Sequence, residues 1–319
     1  MRAIQVSEFG GPGVLAAAEL PAPEAGAGQV VVGVAVAAID FVQTQLRRGY
    51  TPGPPLPELP YVPGGTVAGE VRALGEGVDG RWLGRRVVAR TATAFGGYAE
   101  QAVSDVDGLV EVPDGLGLAE AAALHDDGST AIGLLNGVAV RPGEWVLVEA
   151  AAGGVGSLLV QLAIAAGAQV IGAARGERKL ALIRELGAKG AVDYSEPDWT
   201  EQVRALIGGG PDVVFDGVGG EIGRAALEIT APGGRFSVHG ASSGTPTMGS
   251  GPDGVTVLGI EQLFSFAATA RARVEQALAE AAAGRLRPVI GQTLPLARAA
   301  EAHAAIEARA VTGKTLLLT

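Results

Sequence analysis

The sequence predicts a mixed α/β chain in two parts, a β-rich barrel-like region and a doubly wound parallel sheet. Three observations carry that prediction. At 319 residues the chain is long for one hydrophobic core. Its N-terminal third breaks into short apolar runs separated by Gly and Pro clusters. Beyond Pro113, strand-like and helical patterns alternate, which implies parallel strands joined by right-handed crossovers.

The β-rich region contains QVVVGVAVAAI, VAGEVRALG, RRVVAR, YAEQAV and LVEVP, interrupted by the turn-rich GYTPGPPLPELPYVPGG. A helical stretch over 118–136 leads through RPGE into the alternating series. Strands are predicted at 145–150, 169–174, 191–194, 212–217, 234–239 and 255–260, with helices at 154–166, 177–186, 198–207 and 221–230. The last link, 240–253, reads as a Gly/Ser/Pro loop, followed by a helix over 262–283 and a tail ending in the strand-like TLLLT.

Composition narrows the function. Apolar residues make up 48% and charged residues 18%, the balance of a compact rather than disordered chain. A net charge of −10 with no Lys/Arg block argues against a nucleic-acid partner. The absence of cysteine excludes disulfides, Cys-ligated zinc and thiol catalysis. MRAIQVSEF lacks the charged head and apolar core of a signal peptide, which points to a cytoplasmic protein. From Ala150 to Ala174 only Ser157, Gln161 and Gln169 are polar, but five glycines break the run into strand, turn, helix, turn and strand. A buried parallel strand pair fits that pattern better than a membrane span.

The bend in VLVEAAAGGVGSLLVQ places Ala151, Gly153 and Gly156 where a dinucleotide-binding turn uses three glycines, with Gly154 added. Such glycines permit a tight turn, close approach to pyrophosphate, and close packing of helix on sheet. Backbone N–H groups at the helix start then bind the anion. A tight bend without a ligand is the competing explanation. The end of the second strand discriminates further. An NAD site has a carboxylate there for the ribose 2′-OH, whereas this chain has Arg175, with Arg178 and Lys179 just beyond. Three cations in a helix's first turn oppose its dipole, and they suit a 2′-phosphate. The inference is NADP(H) rather than NAD(H).

AAAGGVG, the later VFDGVGG and HGASSG, and the closing TGKTLLL together resemble the medium-chain dehydrogenase/reductase superfamily. The nearest branch is the zinc-free quinone oxidoreductases related to zeta-crystallin. The resemblance implies a GroES-like catalytic domain from residues 1–123 and 262–319, and a Rossmann NADP(H)-binding domain over 124–261. It further implies that Gly153, Gly154, Val155 and Gly156 face the pyrophosphate and that Lys179 and Tyr194 join Arg175 and Arg178 at the 2′-phosphate. Thr130 matches a threonine near the nicotinamide. Gly240, Ser242 and Ser243 match a loop over the cofactor, and Lys314 lies in the terminal GK pair. The strand near 255–260 corresponds to a homodimer edge.

Three departures sit where substrate is expected. An N-x-x-D-x-Y pattern becomes Asp40, Gln43 and Gln45 in DFVQTQ. An unpaired Asp40 in a dry pocket has a raised pKa and can donate a proton; held by hydrogen bonds, it is an anchor instead. Gln45 is the partner assigned to the substrate carbonyl. Thr66 replaces a Glu that lies near the metal of zinc enzymes. In LHDDGSTA, His125, Asp126 and Asp127 either shape a polar pocket or cap a helix from Ser129. The three histidines, His125, His239 and His303, are too widely spaced for a metal motif.

The resulting expectation is NADPH-dependent, metal-free hydride transfer to a quinone or α,β-unsaturated carbonyl, with Asp40 and Gln45 as catalytic residues. Two alternatives remain open: a tailoring enoyl reductase of secondary metabolism, and a non-enzymatic NADPH-binding protein of the same fold.

Overall fold

The computed structural model describes residues 1–51, 55–252 and 254–319. Part of the proline-rich turn cluster and the end of the 240–253 loop therefore lie outside the described residues. In chain order the elements are β1 (Arg2–Gln5), β2 (Ala16–Glu19), β3 (Gln29–Ile39), α1 (Phe41–Arg47), β4 (Thr66–Leu74), β5 (Arg86–Arg90), β6 (Gln101–Asp105) and β7 (Val110–Glu111). After α2 (Leu118–Val138) come β8 (Trp145–Glu149), α3 (Gly154–Ala165), β9 (Gln169–Ala174), α4 (Glu177–Glu185), β10 (Gly190–Asp193) and α5 (Trp199–Ile207). The chain continues with β11 (Val213–Asp216), α6 (Gly220–Ile229), β12 (Arg235–Val238), β13 (Thr256–Leu258), α7 (Ala270–Ala282), β14 (Ile290–Pro295), α8 (Ala299–Glu307) and β15 (Lys314–Leu318).

The chain divides into two compact units, one of Met1–Asp126 with Val274–Thr319, the other Asp127–Arg273. Both divisions fall later than the expected 123/124 and 261/262. The first lies inside α2. The second moves because Arg273 belongs to the middle unit. Its Nε donates to the Ser129 carbonyl at 2.9 Å, its Nη2 to the Phe266 carbonyl at 2.5 Å, and its guanidinium stands 4.8 Å from the Phe266 ring centre. The expected helix over 262–283 accordingly begins as a 3₁₀ segment, Ile260–Thr269, and becomes α-helical only from Ala270. Side-chain donors from Arg273 and Ser265 take carbonyls there that α-helical amides would otherwise use.

The first unit is built on a seven-stranded sheet ordered β14-β15-β3-β4-β5-β7, with β6 also paired to β3. Strand β3 has three neighbours, and its Val30, Val31 and Val32 are all buried rather than alternating. The register of these strands brings polar residues together. Thr315 pairs with Ile39, Ala38 with Thr66, and Thr66 with Arg90. Lys314, Asp40, Thr66 and Arg90 therefore stand at one end of four adjacent strands, about 4.8 Å apart from strand to strand.

The second unit is a six-stranded parallel sheet ordered β10-β9-β8-β11-β12-β13. Its strands are short continuous apolar runs, and Leu147, Val214, Phe215 and Phe236 have no exposed surface. Burial of each phenylalanine contributes roughly 1.5–3 kcal/mol. Helices α5 and α6 cover the sheet through Trp199, Val203, Ala226 and Leu227.

Candidate active site

In the parallel unit, the loops after β8, β9, β10 and β12 all leave from the carboxyl ends of neighbouring strands, the usual location of a ligand in such sheets. Gly153 is the N-cap of α3 and carries no side chain to cap it, a helix start of the kind that receives an anion. The close approach is real. A Cβ on Gly156 would lie 2.3 Å from the Ala150 carbonyl oxygen, so α3 reaches β8 only with glycine there. A Cβ on Gly154 would lie 1.9 Å from Asp127 Oδ2, so the Asp127 carboxylate rests against the start of α3. The left-handed turn expected of the first fingerprint glycine falls on Ala150 (φ 48°), whereas Ala151 is fully buried. The geometry fits a bound pyrophosphate through backbone amides.

Arg175 and Arg178 are exposed beyond β9, and Lys179 is half-buried in the first turn of α4. Because Asp193 pairs with Ala174 in the sheet, Tyr194 and Arg175 are neighbours just past that pair. Asp193 was not singled out in the sequence, yet it shapes this corner. Its Oδ2 accepts the Gly176 amide at 2.7 Å, and its Oδ1 accepts the Ser195 amide at 2.9 Å and hydroxyl at 2.5 Å. Burial pushes its pKa up, but these bonds and the Arg175 charge outweigh burial and hold it below the usual range. A carboxylate two residues before Ser195 in VDYS was the available signal.

The loops after β11 and β12 are tied by a second acid missed in the sequence. Asp216 Oδ1 accepts the Val218 and Gly219 amides at 2.8 and 2.7 Å, and Oδ2 accepts the Thr247 hydroxyl at 2.6 Å. The Ser243 amide donates to the Val218 carbonyl at 2.9 Å, and the Gly240 amide to the Asp216 carbonyl at 3.2 Å. Gly240 and Ser243 are thereby fixed, with half-buried Ser242 between them. Glu149, fully buried at the end of β8, has its carboxyl pushed well up by burial and by the charge of Asp216. His239 is pushed down to about 4 by burial, against the opposing charge of Asp216. A charged residue closing the apolar run VLVE was the sequence signal for Glu149. Thr130 lies half-buried on α2.

In the first unit, Asp40 is not unpaired. Its Oδ1 accepts Nζ of Lys314, whose side chain is only 5% exposed against 17% for Asp40. A residue assigned to catalysis and one assigned to the cofactor thus form a single ion pair. Gln45 is half-buried and donates from Nε2 to the Thr44 hydroxyl at 3.3 Å. Gln43 is buried and accepts the Gly64 amide at 3.4 Å.

The capping role considered for Asp126 and Asp127 is corrected, because both lie in the interior of α2 rather than at its start. Asp126 instead joins two of the sequence departures. Its Oδ2 accepts the Thr66 hydroxyl at 2.5 Å, its Oδ1 lies 3.0 Å from His125 Nδ1, and Arg90 Nε stands 3.9 Å away. Burial raises its pKa, but His125, Arg90 and Thr66 outweigh that and hold it well below the usual carboxylate range. His303 is buried in the same unit, with Nε2 3.0 Å from the Tyr98 hydroxyl, and burial pushes it down to about 3. Among the described residues, no three His, Cys, Asp or Glu side chains gather as a metal site, and no helix is long and apolar enough to cross a membrane.

Comparison with known proteins agrees with this architecture. The alcohol dehydrogenase GroES-like domain matches residues 26–114, and the zinc-binding dehydrogenase domain matches residues 154–283. A quinone oxidoreductase of Pseudomonas aeruginosa is 35% identical, over 99% of this chain and 98% of its own. A 2-haloacrylate reductase of a Burkholderia species is 31% identical, over 98% of this chain and 97% of its own. The Escherichia coli quinone oxidoreductase, solved in complex with NADPH, superimposes with a TM-score of 0.90 at 29% identity, each chain covered completely. The chain belongs to the quinone oxidoreductase family of the medium-chain dehydrogenase/reductase superfamily, pairing a GroES-like domain with a Rossmann-type nucleotide-binding domain.

Proposed function

We propose that this chain reduces quinones or α,β-unsaturated carbonyl compounds with NADPH. The carrying observation is the basic group beyond β9: exposed Arg175 and Arg178 and half-buried Lys179, on the strand end where an NAD site presents a carboxylate. The NADPH held by the Escherichia coli relative supports the same coenzyme, and the named substrates of the relatives support an electrophilic conjugated acceptor.

When bound, the coenzyme supplies a hydride to the electron-poor carbon of the acceptor. The chain's own residues do the rest. The Gly153–Gly156 amides hold the pyrophosphate, and Arg175, Arg178, Lys179 and Tyr194 take the 2′-phosphate. Gly240, Ser242 and Ser243 line the coenzyme, with Thr130 beside the nicotinamide. Lys314, held by Asp40, is a fixed polar anchor rather than a free cation. Gln45 is the partner for a substrate carbonyl. A homodimer through β13 is part of this reading, supported by that strand's place at the sheet edge with β12 as its one neighbour among the described residues. Sedimentation of the wild type and of Val257→Asp tests it.

Titration calorimetry tests the coenzyme. NADPH should bind at least tenfold tighter than NADH, and the Arg175→Ala/Arg178→Ala double substitution should remove most of that preference, about 1.4 kcal/mol for each factor of ten. Equal affinity for the two forms defeats the assignment. Stopped-flow oxidation of NADPH against a quinone and an enone then separates the substrate classes, and steady turnover of either defeats the non-enzymatic alternative.

A further inference from the structure

In the parallel unit, Arg175, Lys179 and Tyr194 flank one bend, Gly176, and one carboxylate, Asp193. Gly176 is the N-cap of α4 and has φ 84° and ψ 146°, a conformation that residues with side chains rarely adopt. Both of its backbone groups are committed. Its N–H donates to Asp193 Oδ2 at 2.7 Å, and its carbonyl accepts the Lys179 and Leu180 amides at 3.0 and 3.2 Å. We propose that Asp193 is the positioning residue for coenzyme choice: by latching Gly176 on one side and Ser195 on the other, it sets Arg175, Lys179 and Tyr194 for the 2′-phosphate. Asp193 acts through these neighbours rather than by touching the coenzyme, and the role rests on the NADPH reading above.

An NAD site places its acid at the end of the second strand of the fold, where it accepts a ribose hydroxyl. Here Arg175 follows that strand, β9, and the acid stands one strand over, at the end of β10. Its Oδ1 accepts both the amide and the hydroxyl of Ser195, at 2.9 and 2.5 Å, while Oδ2 accepts Gly176. Three donors leave little of the carboxylate for a ribose. Arg175 lies close enough for its charge to act on Asp193. The Tyr194 amide donates to the Ala174 carbonyl at 3.3 Å, which ties the turn after β10 to the residue just before Arg175. A carboxylate beside a phosphate repels it, so the two ways Asp193 can act have opposite signs. As a latch it favours NADPH; as a bare charge it disfavours it.

Titration calorimetry of the full-length protein with NADPH and with NADH separates the two. Asp193→Asn keeps the size of the side chain but turns a donor toward either Gly176 or Ser195, because one end of an amide can only donate. It should weaken NADPH binding about tenfold and NADH binding less than about threefold. Gly176→Ala meets no atom within 4 Å, so it disturbs the backbone of the bend alone and should shift the preference in the same direction. Because both act on one latch, the double variant should lose less than about threefold beyond the worse single variant. Should Asp193→Asn fail to fold, Ser195→Ala is the second arm: it removes one exposed hydroxyl and should weaken NADPH about threefold with NADH unchanged. NADPH held as tightly or more tightly by Asp193→Asn overturns the proposal, and so does a preference unmoved by Gly176→Ala or by Ser195→Ala. An equal loss for both coenzymes overturns it too, since that marks a merely structural role, as do losses that multiply in the double variant. A wild type that binds the two forms equally removes the coenzyme reading itself, and this proposal with it.

Discussion

The two units build their sites in opposite ways. In the parallel unit the proposed ligand groups are backbone amides at Gly153–Gly156 and exposed cations at Arg175 and Arg178, while the acids Glu149 and Asp216 are buried. In the GroES-like unit the polar groups at the sheet end are committed to one another: Lys314 to Asp40, and Thr66 and His125 to Asp126. One site is made by chain conformation, the other by side-chain pairing. Substitutions should therefore act through packing in the first and through orphaned charge in the second.

The largest effect is expected at Gly156. Gly156→Val places its Cβ against the Ala150 carbonyl, which cannot move without dislodging β8, and should cost more than about 4 kcal/mol in urea denaturation. Gly154→Ala meets the Asp127 carboxyl, a side chain rather than backbone, and should cost less than Gly156→Val. Comparable losses at the two positions would break the contrast. Next comes the ion pair. Asp40→Asn or Lys314→Met alone should cost about 3 kcal/mol by orphaning a buried partner, and the double substitution should cost less than either. An additive double variant would show that pairing does not govern this end of the sheet.

Acid stability compares the units directly, because desolvation depresses His303 in the first and His239 in the second. Folded His303 titrates near 3 and His239 near 4, both depressed by burial from an unfolded value of about 6.5. Below about pH 6.5 the unfolded chain takes up protons that the folded chain refuses, so stability is complete above that pH and falls as acid is added. Each histidine should account for about 2 kcal/mol by pH 4.5. His303→Gln and His239→Gln should each flatten the profile of their own unit. A profile unchanged by both substitutions would show that neither histidine is held neutral.

The smallest effect tests strain. Ala150→Gly relieves a left-handed alanine but adds unfolded-state entropy, so its net change should stay within about 1 kcal/mol. A larger loss would mean that the Ala150 methyl group packs in a way the turn requires.

That contrast also explains what could be read from the chain. The glycine loop, the basic residues after β9 and the alternation of the parallel unit arise from local pattern, and their elements begin and end within a residue or two of expectation. Asp40 illustrates the opposite case. Its identity was visible, but its partner lies 274 positions away, and nothing local distinguishes a proton donor from half of an ion pair. Asp126 and Asp127 looked like helix caps because two acids precede Ser129, although the helix expected over 118–136 already placed both mid-helix, as α2 does. Glu149, Asp193 and Asp216 went unremarked because a single acid at a strand end has no period to betray it.

The order in which the strands are made gives the sheet of the GroES-like unit an unusual dependence. β15 lies between β14 and β3 and brings Lys314 to Asp40, yet translation delivers it only after the whole parallel unit has been made. During synthesis, the Val36–Ile39 end of β3 must wait without its β15 partner while the parallel unit has every strand it needs. A ribosome stalled shortly before residue 314 should therefore carry a protease-resistant middle and a labile beginning.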